Sequence, residues 1–110
     1  METKAIVQEF LAALNAEDFA KARTFLNDNM KFIGVMGTRD NADTYIADME
    51  KMRFKYKIQR LFADEKGVAV FYDIDMGKQT IFSAGWYELE NNQIKIFKVL
   101  FDPRPLLAHS

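Results

Sequence analysis

"FKYKIQRLFADEKGVAVFYDID", residues 54–75, is the stretch whose reading decides the fold. From Phe54 onward the apolar residues recur with a period of two, the repeat of a strand with one face buried. Phe54, Tyr56 and Ile58 share a face, with Lys55, Lys57 and Gln59 on the other. In the second half Val68, Val70, Tyr72, Ile74 and Met76 oppose Phe71, Asp73 and Asp75. The joint "DEK", 64–66, is short enough for an antiparallel hairpin. A register that matches apolar to apolar sets the lysines beside the aspartates on the outer face. Asp73 and Asp75 could be a paired-carboxylate site, but cross-strand partners of lysine explain them with less.

The alternation continues downstream. Strands are expected at 79–89 and 93–101, joined by "GK" and "ENN". Upstream the period is helical. Ile6, Val7, Phe10, Leu11 and Leu14 form one stripe, and Asn15 ends it. Asp18 caps a second, shorter helix that carries Phe19, Ala22, Phe25 and Leu26 inward. "NDN", 27–29, reads as a loop, "MKFIGV", 30–35, as a short strand, and "GTRD" as a turn. A third helix starts near Asp40 or Asn41, with Ala42, Tyr45, Ile46, Met49 and Met52 on its apolar face. The fold class is therefore α+β: three N-terminal helices packed on a strongly curved, mostly antiparallel sheet forming a cone. The sheet ends at "IFKVLFDPRP", 96–105, where the prolines stop the ladder. Asp102 and Arg104 are expected to point apart on extended backbone, and Leu106 and Leu107 to pack the tail over the cone or onto a partner.

At 110 residues the chain reads as a single domain, 1–110. A net charge of −1 without a basic block gives no footprint for nucleic acid. The absence of cysteine excludes disulfides, thiol catalysis and thiolate metal sites, and it fits a cytoplasmic location. No signal peptide or membrane span is expected, because "METK" runs directly into an amphipathic pattern. Ten phenylalanines in so short a chain imply either a thick core or an apolar cavity lined by rings.

"FLAALNAEDFAKARTFLNDNMKFIG", "LFADEKGVAVFYDI" and "GWYELENNQIKIFKVLFDPRPLL" together resemble the nuclear transport factor 2-like superfamily. Its members include SnoaL-like polyketide cyclases, ketosteroid isomerases and limonene epoxide hydrolases. The resemblance implies a fold, the cone of a cystatin-like α+β barrel, more than a function, because this fold hosts enzymes, ligand binders and interaction domains. It also implies catalytic positions, and these are vacant here. The general base of ketosteroid isomerases matches Gly34, the oxyanion-donating tyrosine matches Phe10, and the protonated aspartate falls near Gly85. The pattern shows neither the Asp–Arg–Asp set of the epoxide hydrolases nor an inward acid. The one histidine, His109, is expected in a frayed tail. No catalytic residue, cofactor or metal is therefore assigned.

Family geometry implies that the cone interior receives Phe10, Leu14, Tyr56, Tyr72, Ser83, Gly85, Tyr87, Phe97, Val99 and Phe101. Apolar walls with a few hydroxyl tips suit a small hydrophobic or aromatic ligand, unless the rings simply fill the space. Arg60 either faces inward, as a carboxylate clamp, or is turned outward by a β-bulge before Leu61 and Phe62. Arg39 and Asp40 lie in the loop entering the third helix, where function often resides, although a helix cap explains Asp40. Phe71, Phe82, Ala84, Trp86, Ile94, Ile96 and Leu100 leave an apolar strip on the outer sheet face, suited to a homodimer. The resulting expectation is a ligand-binding cone. The alternatives are a homodimeric interaction module without catalysis, or an isomerase or cyclase with a non-standard base.

Overall fold

A computed structural model describes residues 2–107; His109 lies outside them. The chain runs α1 (Thr3–Asn15), α2 (Phe19–Thr24), β1 (Leu26–Ile33), β2 (Thr38–Arg39), α3 (Ala42–Met52), β3 (Lys55–Ala63), β4 (Gly67–Asp75), β5 (Thr80–Glu90), β6 (Gln93–Phe101) and α4 (Arg104–Leu107). One six-stranded sheet has the order β2-β1-β6-β5-β4-β3. Every neighbouring pair is antiparallel except β1 and β6, which are parallel. The sheet is curved and open, and α1 and α3 pack across it to make the α+β architecture.

The helices begin where short polar side chains can accept from free N–H groups. Asp18 accepts from Lys21 N at 3.1 Å, opening α2. Asn41 accepts from Thr44 N at 2.8 Å, opening α3. The cap of α3 is thus Asn41 rather than Asp40. Arg53, at φ 52°, closes α3 in the left-handed conformation and donates its N–H to the Met49 carbonyl.

Two bulges set which residues face the core. In the β3–β4 ladder, Ile58 pairs with Tyr72 but Arg60 pairs with Phe71, so Gln59 is extra. Side-chain parity flips there: Leu61 lies opposite Val70, and Arg60 turns outward with its guanidinium 5.1 Å from the Phe62 ring. In the β5–β6 ladder, Leu89 pairs with Ile94 and Glu88 with Ile96, so Lys95 is the extra residue. This corrects the expected outer strip, because the bulge turns Ile94 inward and buries it completely. The lysine–aspartate register is present, with Lys55 opposite Asp75 and Lys57 opposite Asp73. The Asp73 carboxylate, however, accepts from Gln59 at 2.8 Å, and the Lys55 ammonium meets Glu17 at 2.8 Å.

Three further segments differ from the sequence expectation. "NDN" is not a free loop but part of β1, where Asn29 N donates to the Asn27 side chain while the β1–β6 register shifts between Leu26 and Lys31. Leu26 accordingly belongs to β1, not to the stripe of α2, though it is fully buried. The expected turn "GTRD" contains the short strand β2, paired through Phe32 with Arg39 and Ile33 with Thr38. Asp102 and Arg104 do meet. The chain turns helical after Pro103, Asp102 accepts from Arg104 N at 3.0 Å, and the two side chains pair at 2.6 Å. Asp102 thus precedes α4 and holds its first N–H, and the pair is architectural.

Asn15 does more than end α1. Its amide donates to the Tyr56 carbonyl at 2.8 Å and accepts from Tyr56 N at 2.7 Å, so one side chain completes the start of β3. Losing both bonds leaves two half-buried backbone groups unpaired. Asn15→Ala is expected to lower unfolding free energy by about 1–3 kcal/mol in urea titration. An unchanged midpoint would show that water replaces the clamp at no cost.

Candidate functional site

The cone has a filled narrow end and an open wide end. At the narrow end α1 delivers Phe10 edge-on to Tyr87 and Phe97, with ring centroids 6.4 Å away in both cases. Tyr87 and Phe97, paired across β5 and β6, stack at 4.1 Å. Tyr72 and Tyr87 share a hydroxyl–hydroxyl hydrogen bond of 3.0 Å, fully buried. Gly85 makes room for it, because a Cβ there would fall on the Tyr72 hydroxyl. The position that family resemblance matches to an isomerase aspartate is therefore occupied by a tyrosine hydroxyl. Ser83, also buried, donates to the Ile81 carbonyl at 3.1 Å.

Above this plug lies a cavity of about 390 Å³. Its floor and sheet wall come from Phe97, Val99 and Phe101 on β6, with Tyr56, Ile74 and Phe32 beside them. The helix wall is Tyr45, Asp48, Met49 and Met52, and the rim is formed by Val35 and Met36 of the 34–37 turn, Arg39 and Leu106. Of the residues assigned to a pocket from sequence, Tyr56, Phe97, Val99 and Phe101 line this cavity. Phe10, Leu14, Tyr72, Ser83 and Tyr87 do not: they are buried outside its lining.

Of the helix wall, Asp48 is the residue that the apolar face read from sequence leaves out, although its spacing places it there. Tyr45, Asp48, Met49 and Met52 fall at i, i+3, i+4 and i+7, so Asp48 shares the inward stripe. The expectation that no acid faces the interior is thus corrected. Asp48 is held in an ion pair, its Oδ2 accepting from Arg39 Nε at 2.6 Å. Arg39 Nη1 also donates to the Thr38 carbonyl at 2.8 Å. At depth, Tyr56 points its hydroxyl at the Met49 thioether at 3.6 Å, a weak acceptor. Among the described residues, no group of three or more His, Cys, Asp or Glu is placed to hold a metal ion, and no helix is long and apolar enough to cross a membrane.

All four tyrosines of the chain belong to this cluster, and each is held neutral. Burial is the main cause, since a phenolate would be stranded in apolar surroundings. Neighbouring tyrosines push Tyr45 and Tyr87 further up. For Tyr56 the contact with Tyr45, and for Tyr72 the bond to Tyr87, pulls partly the other way. A phenol whose native pKa exceeds its unfolded value stabilises the fold below that unfolded value, about 10. The contribution is lost as pH rises above it, because the unfolded chain then releases protons that the native chain retains. In an alkaline titration followed at 295 nm, tyrosinate absorbance is expected only together with unfolding, and all at once. A tyrosine titrating near 10 while circular dichroism stays native would contradict this burial.

The sequence profile of the SnoaL-like domain matches residues 7–97. Among curated proteins none matches the chain. Among solved structures, a nuclear transport factor 2-like protein of unknown function from Cytophaga hutchinsonii is 44% identical, with a TM-score of 0.95 over 97% of this chain and 96% of that one. A cystatin-fold protein from Novosphingobium aromaticivorans, 12% identical, superposes with a TM-score of 0.83 over 91% of this chain and 98% of that one. A protein described as a SnoaL-like polyketide cyclase from Shewanella putrefaciens, 15% identical, gives 0.81 over 98% of this chain and 86% of that one. The last two likenesses concern fold alone.

Proposed function

The chain belongs to the SnoaL-like domain family, and on that premise we propose that it binds a small hydrophobic or aromatic molecule in the wide end of the cone. One observation carries the reading: a cavity of about 390 Å³ whose walls are mostly apolar, with few polar groups at defined places. The volume lies within the range of small-molecule sites. No reaction is assigned. An isomerase- or cyclase-type step would have to use Asp48 as its base, and that carboxylate is tied to Arg39. A cytoplasmic setting is part of the same proposal, and the cysteine-free sequence is compatible with it.

The neutral fluorophore N-phenyl-1-naphthylamine tests the reading directly. Its emission should rise and saturate with the native protein, and Val99→Trp, which fills the cavity, should lower its affinity at least about tenfold, the worth of a few lost apolar contacts. Circular dichroism verifies that the variant is folded. An equal response from both proteins, or none from the native one, sinks the proposal.

A second reading, compatible with the first, is a homodimer through the outer sheet face. Phe82, Trp86 and Leu100 are 62%, 51% and 70% exposed, and Phe71 is 38% exposed. They are contiguous: Phe71 stacks on Phe82 at 6.3 Å, and Ala84 lies between Phe71 and Leu100 in the ladders. Ile96 is half-buried beside them. A patch of this kind is seldom left in water, and a second copy presents the same surface. Sedimentation equilibrium should give twice the 12.8 kDa chain mass, and Trp86→Glu should return the monomer with its fold intact. A native chain that sediments as a monomer at high micromolar concentration removes this reading.

A further inference from the structure

Resting on the ligand-binding proposal above, we infer that the ligand carries a carboxylate, which docks on the free edge of the Arg39 guanidinium while its apolar body runs inward toward Val99 and Phe97. The side-chain charges lining the cavity are Arg39, at the rim, and Asp48, on the helix wall beside it. A guanidinium has five N–H donors in one plane. One, on Nε, is engaged by Asp48, and one on Nη1 by the Thr38 carbonyl. Among the described residues no acceptor meets the other three. One on Nη1 and one on Nη2 form the Nη1–Nη2 edge, whose two parallel N–H bonds match the two oxygens of a carboxylate, and the third, also on Nη2, lies on the Nε side next to Asp48.

The two existing bonds fix the plane of the guanidinium before any ligand arrives, which reduces the ordering cost of binding. Asp48 is thus a positioning residue. Its charge also explains why the preference is moderate, since the incoming carboxylate shares one cation with a carboxylate already present. The same balance disfavours a dianion such as a phosphate monoester. The floor offers no alternative place for a negative charge: Tyr45 and Tyr56 are neutral hydroxyls deep among rings, and a carboxylate there would be dehydrated without a cation. At the rim, Arg39 keeps 43% of its side chain exposed, so the anion retains part of its hydration.

The experiment is displacement of N-phenyl-1-naphthylamine from the intact chain at pH 7 by a matched pair, 4-butylbenzoate and 4-butylbenzyl alcohol. The acid is expected to displace at about tenfold lower concentration, the worth of one good charge-assisted pair. Arg39→Met should abolish that advantage and leave the alcohol within about twofold, while Arg39→Lys should keep part of it. Equal displacement by the two compounds overturns the inference while leaving the cavity proposal standing. So does an Arg39→Met variant that weakens both alike, which would show Arg39 only shaping the rim. If the fluorophore itself fails to bind, the cavity proposal and this inference fall together.

Discussion

Four elements converge on the ring of Phe97. Tyr87 stacks on it from β5, Phe10 meets it edge-on from α1, and Tyr45 and Phe32 approach at 5.8 and 5.3 Å from α3 and β1. Both α1 and α3 are seated on the sheet through this ring, and so is β1, the strand that closes the parallel pair. Aromatic pairs at such separations contribute beyond their buried area, but their larger effect here is geometric. The cluster fills the narrow end of the cone and forms the floor of the wide one. What is core and what is cavity is therefore decided at one residue.

Much of this arrangement was legible in the sequence, and the part that was not has a consistent cause. The change of period at Phe54 announced the sheet, and the stripes of α1 and α3 announced the helices that cover it. Period arguments run correctly only until a residue is inserted. The bulge at Gln59 was signalled by adjacent Leu61 and Phe62, two apolar residues that cannot both face inward on a regular strand. The bulge at Lys95 left a similar sign in adjacent Ile96 and Phe97, but Ile94, Ile96 and Leu100 share a parity and the sequence does not locate the extra residue. Only the pairing with β5 shows that Ile94 sits on the other face. At the chain end, proline was taken as a guarantee of extended backbone, whereas Pro105 is accommodated in the first turn of a helix, where its missing N–H costs nothing.

The site was harder to read than the fold, for a different reason. Family resemblance points to Phe10, Gly34 and Gly85 as the positions of the catalytic acids and tyrosine of related enzymes. Two of these have been absorbed into packing: Phe10 is a core ring, and the space at Gly85 belongs to Tyr72. The charged groups of the cavity are instead Arg39 and Asp48, near its mouth, while the hydroxyls of Tyr45 and Tyr56 lie deep among rings. A helix with Tyr45, Asp48, Met49 and Met52 on one stripe reads as apolar with one exception, and the exception was the informative residue. The same fold thus carries polar groups at different depths, which is why likeness of fold transfers so little chemistry.

The parallel pairing of β1 with β6 has a consequence for how the molecule is made. Residues 26–33 pair locally with β2 on one side but find their partner on the other side only when residues 94–98 exist, so two neighbouring strands of the sheet are joined across most of the chain. During synthesis the helices and the β3–β4 hairpin can form locally while β1 still lacks its neighbour. Contacts of such long sequence separation slow folding, because a large loop must close before they return any stabilisation. Until β6 emerges, β1 presents an unpaired edge and Phe32 an uncovered ring, a combination prone to pairing with other chains. Completion of the last strand therefore acts as the latch of the fold, and the turn at Asn91 and Asn92, both in left-handed backbone conformation, is the hinge on which it swings into place.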